Sequence, residues 1–181
     1  MRKFIVSMNL SLDGYLSGPF GELDWHFEIW SESMGEKILE QLEETDTIIL
    51  GRVTYEAMAK YWTVKPLENH FPRQDLAIAD RMNRHTKVVF SKTLKESIWH
   101  RSVFVAGDPM DEINLLKDKE GKDMILFGSA QLASAFILSG VVDEYHLWIH
   151  PVILGSGTPI FKHLHKKMNL KLKDSVSFES G

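Results

Sequence analysis

Two stretches of this chain join an apolar strand to a helix through a glycine turn, and together they restrict the fold more than any other feature. In Thr47-Ile48-Ile49-Leu50-Gly51-Arg52-Val53-Thr54-Tyr55-Glu56 the apolar run ends at Gly51 and a helical pattern follows at once. Glycine lets the main chain approach a ligand closely, Arg52 offers a forked cation, and Thr54 can cap a helix whose free N–H groups attract anions such as a nucleotide phosphate. Met124-Ile125-Leu126-Phe127-Gly128-Ser129-Ala130-Gln131 repeats the arrangement. A parallel sheet sets two such turns along its carboxyl edge, where ligands of α/β proteins bind.

The chain has 181 residues, enough for one domain with a substantial core and short for two, so residues 1–181 are expected to form a single unit. With 21 basic and 25 acidic side chains the formal charge is -4, which argues against a nucleic-acid partner. Cysteine is absent, which removes disulfides and thiolate metal sites and fits a reducing, cytoplasmic setting. The N-terminal apolar run is interrupted at Asn9 and Asp13 before it reaches the length of a signal segment, and no run is long enough to span a membrane.

The pattern predicts strands at 3–8, 47–50, 87–91, 102–106, 124–127 and 143–149. A long loop, Ser11 to Gly21, carries three glycines and a proline and marks irregular, functional backbone. Ser33-Met34-Gly35-Glu36 reads as a capping box that starts the first helix, with Ile38, Leu39 and Leu42 on its apolar face. Tyr55, Met58, Ala59 and Trp62 form one buried helical stripe. The stretch from Thr63 to Arg73 reads as a surface loop, and a helix is expected from Asp75 to Arg84. Asp108-Pro109 opens a helix that Gly121 closes, and Ser129 caps another that Gly140 ends. Strands alternating with helices call for an α/β fold with a mainly parallel sheet covered on both faces. The last third departs from that alternation, and Pro151 to Leu154 together with Leu170-Lys171-Leu172-Lys173 predict antiparallel C-terminal strands.

These residues resemble the dihydrofolate-reductase-like proteins, which include the reductase domain of bifunctional riboflavin-biosynthesis enzymes. The resemblance spans nearly the whole chain and rests on Met8-Asn9-Leu10-Ser11-Leu12-Asp13-Gly14-Tyr15, Leu50 to Glu56, Val89-Phe90-Ser91-Lys92, Phe127 to Leu132 and His150 to Gly157. It implies a three-layer α/β/α architecture and an NADPH-dependent reductase acting on a small-molecule substrate. Gly51, Arg52, Val53 and Thr54 would hold cofactor phosphates; Ser91 and Lys92 would lie near the adenosine ribose and its 2′-phosphate. Gly128, Ser129, Ala130 and Gln131 would admit the pyrophosphate to a helix N-terminus. Met8, Asn9 and the loop from Leu12 to Leu16 would border the nicotinamide. The chain lacks the clean substrate carboxylate of dihydrofolate reductases and the Ala-Asp-Asp-Pro-type segment of the riboflavin-pathway enzymes, so neither substrate transfers. It also stops before the family's usual last strand.

Each assignment has a plainer counterpart. Arg52 can form a structural ion pair, Lys92 can be a solvated lysine, and Gly128-Ser129 can be a tight turn with a cap. Asp13 is the candidate proton donor, if the loop closes over the nicotinamide, but an Asp-Gly turn that holds its own backbone is the stronger account of it. Trp25 is either a pocket wall or core. Period two sets Glu144, His146, Trp148 and His150 on one strand face, where a pocket rim or a subunit interface is expected. His146 and His150 would stand roughly 13 Å apart, too far to share a metal, so no metal site is expected. His163-Leu164-His165-Lys166-Lys167 reads as an exposed basic turn. A non-catalytic pterin- or nucleotide-binding protein of the same fold is a rival reading. A P-loop-like hydrolase is another, and it lacks the long glycine loop and lysine. The apolar strand at 151–154 and the Gly155-Ser156-Gly157 turn fit packing of a homodimer.

Overall fold

The computed structural model describes residues 1–64, 73–162, 164 and 167–180. The surface loop expected between Thr63 and Arg73 falls largely outside the described residues, as do His163, His165 and Lys166 of the expected basic turn. In chain order the elements are β1 (Phe4–Ser11), β2 (Tyr15–Ser17), α1 (Asp24–Phe27), α2 (Glu32–Glu44), β3 (Thr45–Gly51), α3 (Arg52–Val64), α4 (Arg73–Arg84), β4 (Thr86–Phe90), β5 (Ser102–Val105), α5 (Pro109–Lys117), β6 (Asp123–Phe127), α6 (Ala130–Ser139), β7 (Glu144–His150) and β8 (Thr158–Pro159).

Six strands form one sheet in the order β5-β4-β3-β6-β1-β7, and every described pairing within it is parallel. All six carboxyl ends therefore lie along one edge. The strands bury both faces, so they read as apolar runs whose alternate side chains go to opposite layers. Ile5, Ile48, Leu50, Val89 and Ile125 meet Leu42 of α2, Tyr55 and Ala59 of α3, and Ile78 and Met82 of α4. Phe4, Val6, Met8, Ile49, Val88, Met124 and Leu126 meet Ile113 and Leu116 of α5 and Ala133, Phe136 and Ile137 of α6. Each fully buried aliphatic or aromatic side chain here contributes about 1.5–3 kcal/mol relative to exposure. The result is the α/β/α sandwich expected from the alternation of elements.

Several boundaries differ from the sequence reading. The cap of α2 is Ser31, whose Oγ accepts from the Met34 N–H at 3.3 Å, two residues before the Ser33 box; Ser33 bonds to the Ser31 hydroxyl instead. Helix α5 stops at Lys117 rather than running on to Gly121. Gly140 ends α6 in the left-handed conformation, as expected.

The antiparallel C-terminal strands are the largest correction. Residues 151–154 and 170–173 form no strand. Pro151 follows β7 directly and cannot donate to a ladder, and the chain turns at once, Val152 N–H donating to the His150 carbonyl at 2.8 Å. The alternation of 170–173 buries neither Leu170 nor Leu172. That tail follows β7 through side chains instead: Lys173 pairs with Glu144, and Phe178 stacks on Trp148 at 5.5 Å. Among the described residues the antiparallel pairing is confined to β2 with β8.

Candidate functional site

The carboxyl edge of the sheet collects the two glycine turns. Strands β3 and β6 are neighbours, so Gly51 and Gly128 emerge side by side. A methyl group at Gly51 would run into the Ser129 hydroxyl and stand 3.3 Å from Leu132 Cδ1, and one at Gly128 would stand 2.8 Å from Thr54 Cγ2. The two turns thus touch: a side chain at Gly51 would displace the Ser129 hydroxyl, and one at Gly128 would press on Thr54 at a left-handed φ that favours glycine. Gly128 and Ser129 both have positive φ, at 61° and 58°. The left-handed conformation is costly for serine, and its hydroxyl makes no capping bond to α6, contrary to the cap expected there. By the geometry of any helix start, the N–H groups of Ala130, Gln131 and Leu132 lack intrahelical acceptors. Ala130 is half-buried and Gln131 exposed on this rim.

Helix α3 starts directly after Gly51, so Thr54 lies in its first turn instead of capping it. Arg52 and Val53 are exposed. Arg52 Nη1 pairs with Glu56 Oε2 at 2.9 Å, one helical turn on. One strand further out, the ends of β4 and β5 enclose an open cavity of about 510 Å³ lined by Phe90, Ser91, Lys92, Val105, Gly107 and Asp108, among others. Ser91 Oγ is engaged by the N–H groups of Thr93 and Leu94, whereas Lys92 is exposed. From β4 to β1 there are three strand spacings, about 14 Å.

At the other end of the edge, β1 changes character. The face that begins with Ile5 continues with Ser7, Asn9 and Ser11, three polar residues on a central strand. Ser7 Oγ meets Gln41 Oε1 of α2 at 3.2 Å and accepts from Trp148 Nε1 at 3.1 Å. His150 Nε2 lies 2.9 Å from Asn9 Oδ1. Over them stands the single turn α1, with His26 and Trp25 packed against the His150 ring at 5.9 and 5.4 Å between centroids. Trp30 flanks Trp148 at 6.3 Å. His26 is 8% exposed, and its Nδ1 is buried without a hydrogen-bond partner. Burial, and then the neighbouring His150, push its pKa down to about 4, and burial lowers that of His150 as well. Both rings are neutral at pH 7.

Met8, expected beside the nicotinamide, and Asp13, the candidate proton donor, are both engaged by other parts of the fold. The Met8 side chain is core, packed toward α5 and α6, so only its main chain borders this edge. The Asp13 carboxylate accepts from the N–H groups of Leu154 and Gly155 at 3.1 and 2.8 Å and from the Ser11 hydroxyl at 2.7 Å. Those hydrogen bonds, the Ser11 one foremost, hold its pKa below the usual carboxylate value. This is a clasp between two loops, and it favours the ionised carboxylate. The loop is further tied down by the Leu12 N–H on the Val152 carbonyl and by β2 on β8.

Sequence reasoning passed over His26, Ser7, Gln41 and Trp30. The available signal was the serine-asparagine-serine alternation inside an apolar strand, which breaks the rule for a strand buried on both faces. The position expected to form a pocket rim, with Trp148 and His150 on one face, does line this polar face. Among the described residues no group of three or more candidate ligands is placed to hold a metal ion, and no helix is long and apolar enough to cross a membrane.

Comparison with known proteins agrees with this geometry. The Bacillus subtilis (strain 168) uncharacterized protein YyaP is 35% identical over 180 residues, covering 99% of this chain and 91% of the relative. The Thermotoga maritima diaminohydroxyphosphoribosylaminopyrimidine deaminase/5-amino-6-(5-phosphoribosylamino)uracil reductase superposes with a TM-score of 0.62 at 15% identity, over 96% of this chain and 54% of that one. Enterococcus faecalis dihydrofolate reductase complexed with NADP(H) superposes with a TM-score of 0.53 at 16% identity, over 90% of this chain and 79% of that one. At such identities these two structures speak for the fold, which is that of dihydrofolate reductase. The model of the RibD C-terminal domain matches residues 2–181, and the chain therefore belongs to the RibD C-terminal domain family.

Proposed function

We propose that this protein is an NADPH-dependent reductase that transfers hydride to a C=N or C=O bond of a small heterocyclic or sugar-derived substrate. The observation that carries the reading is the contact between the two glycine turns, which sets bare main chain at Gly51 and Gly128 beside the α6 N–H groups that lack intrahelical acceptors, a cradle rimmed by Ser129, Leu132 and Thr54. That cradle has the chemistry to receive a pyrophosphate. The cavity with Ser91 and Lys92 supports an adenosine and 2′-phosphate end, and the polar end of β1 supports a nicotinamide and substrate end. Bound NADPH would supply the hydride from C4 of its nicotinamide. The protein's share is alignment: Gly51, Arg52, Val53, Thr54, Gly128, Ser129, Ala130 and Gln131 hold phosphate, Asn9 and the main chain at Met8 border the ring, and α1 limits water access.

A non-catalytic pterin- or nucleotide-binding protein of the same fold is the second reading. It is favoured by one observation, the engagement of the Asp13 carboxylate by the 154–155 turn. NADPH oxidation followed by absorbance with pyrimidine, pterin and small carbonyl acceptors separates the two. Turnover supports the reductase; saturable NADPH binding without oxidation of any acceptor supports the binder.

Arg52→Ala tests the phosphate assignment. Its pair with Glu56 is an exposed helix-surface pair worth at most about 0.5 kcal/mol. A charged hydrogen bond to phosphate is worth about 1.5–3 kcal/mol. NADPH affinity is expected to fall by roughly tenfold or more, with unfolding unchanged within about 0.5 kcal/mol. Equal affinity in variant and parent removes Arg52 from the site.

A further inference from the structure

We propose that His26 is the residue that recognises the substrate: its buried, unpartnered ring nitrogen, set over Asn9 and His150, takes up a hydrogen bond from an uncharged, flat ring compound, and the site turns away anionic ones. The inference rests on the reductase reading and names the substrate class of that site.

A polar ring nitrogen buried without a partner costs roughly 1–3 kcal/mol. The His26 Nδ1 bears that cost at the carboxyl end of β1, beside the residue that borders the nicotinamide position. A substrate N–H or O–H, or a ring acceptor facing the other tautomer, would satisfy it. The His150 Nε2 contact with Asn9 Oδ1 leaves the Asn9 amide –NH2 to donate. The surroundings are flat and apolar: Trp25 packs edge-on to both histidines, and Phe27 lies 4.1 Å from the His26 ring.

The charge balance decides the class. The groups that act on His26 are His150, itself neutral, and the Asp24 carboxylate. The polar side chains lining the face below, Ser7, Asn9, Gln41 and His150, bring no cation. A carboxylate or phosphate placed here would meet a neutral imidazole and the field of Asp24, and it would lose water without gaining an ion pair. An uncharged ring with a hydrogen-bonding edge loses little and pairs the orphan nitrogen.

Isatin and isatin-5-sulfonate form a matched pair for the test. Both are flat N-heterocycles with a reducible ketone, and they differ by one anionic group. Titrated into the full-length protein with isotope-labelled histidine, isatin is expected to shift the His26 imidazole signals, and the sulfonate to bind at least tenfold more weakly. His26→Phe keeps the ring packing and removes the nitrogens, and it should weaken isatin at least tenfold; His26→Gln, which restores a neutral donor and acceptor, should recover part of the loss. Equal binding of the two probes, no shift at His26, or undiminished isatin binding by His26→Phe overturns the proposal. If His26→Phe fails to fold, the histidine signals of the parent still decide. NADPH titration of the same samples separates the two levels: a parent that binds isatin at His26 but never NADPH sinks the reductase reading and keeps the recognition site.

Discussion

At the scale of the residue, His26 ties stability to the site. Its folded pKa of about 4 lies below the ordinary 6.5 because burial and His150 disfavour the charged ring. Between those two values the unfolded chain binds a proton that the folded chain refuses, so acid favours unfolding. Stability linked to this group is intact above about pH 6.5, drains away as pH falls toward 4, and changes no further below that; in full it amounts to about 3 kcal/mol. Urea denaturation of the parent at pH 7 and 4.5 should show this loss, and His26→Gln should show a distinctly shallower one. Parallel pH dependences would mean that the imidazole titrates freely in the folded protein. Arg52 makes the complementary point. Beside Gly51 it looked like an anion ligand or an ion-pair partner, and the structure finds the ion pair with Glu56 in a position exposed enough to exchange for phosphate.

At the scale of the element, two helix starts on the same edge of the sheet are built in opposite ways. Asp108 caps α5 conventionally, its carboxylate accepting from the Met110 N–H at 2.8 Å with Pro109 behind it. Ser129 precedes α6 in a left-handed conformation and bonds nothing in the helix. Asp108→Ala should therefore cost about 1 kcal/mol of stability, whereas Ser129→Ala should change it by less than about 0.5 kcal/mol. Equilibrium unfolding of both variants checks the contrast, and a costly Ser129→Ala would show that its hydroxyl does cap the helix in solution. A helix whose capping residue stays disengaged keeps its N–H groups for other acceptors, which is why the proposed phosphate cradle is placed at α6 and not at α5. Sequence marked both serine and aspartate as caps, because cap propensity is local. Whether the side chain turns back depends on the backbone at that residue, which is extended at Asp108 and left-handed at Ser129.

At the scale of the whole molecule, β7 is an edge strand, paired among the described residues with β1 alone, and apolar side chains lie on and beside it. Ile149 is half exposed, and Ile153, Leu170 and Leu172 are more so. The tail meets this edge by side chains. Glu144 anchors it: although burial raises its pKa, the hydrogen bonds and charges of Lys173 and Lys3 bring it down to about 2. We propose this edge, with its exposed leucines, as a surface for a second copy of the chain. Sedimentation equilibrium is expected to give a dimer mass, and the double variant Ile153→Asp, Leu172→Asp a monomer mass; a monomeric parent would leave this edge uncovered. The homodimer was expected from 151–154 and the Gly155-Ser156-Gly157 turn; residues 151–154 form no strand, and the proposed surface keeps Ile153 and adds β7 and the tail.

The sequence by itself determined what local chemistry and periodicity can determine: the six strands of the sheet, the helices between them, and the two glycine turns, each legible because apolar spacing and glycine carry their meaning within a few residues. It could not say that β6 inserts between β3 and β1, and only that insertion brings Gly51 against Ser129 and Thr54 against Gly128. Nor could it join His26 to His150 and Asn9, which lie far apart along the chain and meet because β1 and β7 pair in register beneath α1. The alternating tail shows the reverse failure, since a period of two makes a strand only where an edge accepts its hydrogen bonds. Long-range pairing is a property of the packed sheet, and the unpaired nitrogen of His26 exists only once that packing has excluded water from it.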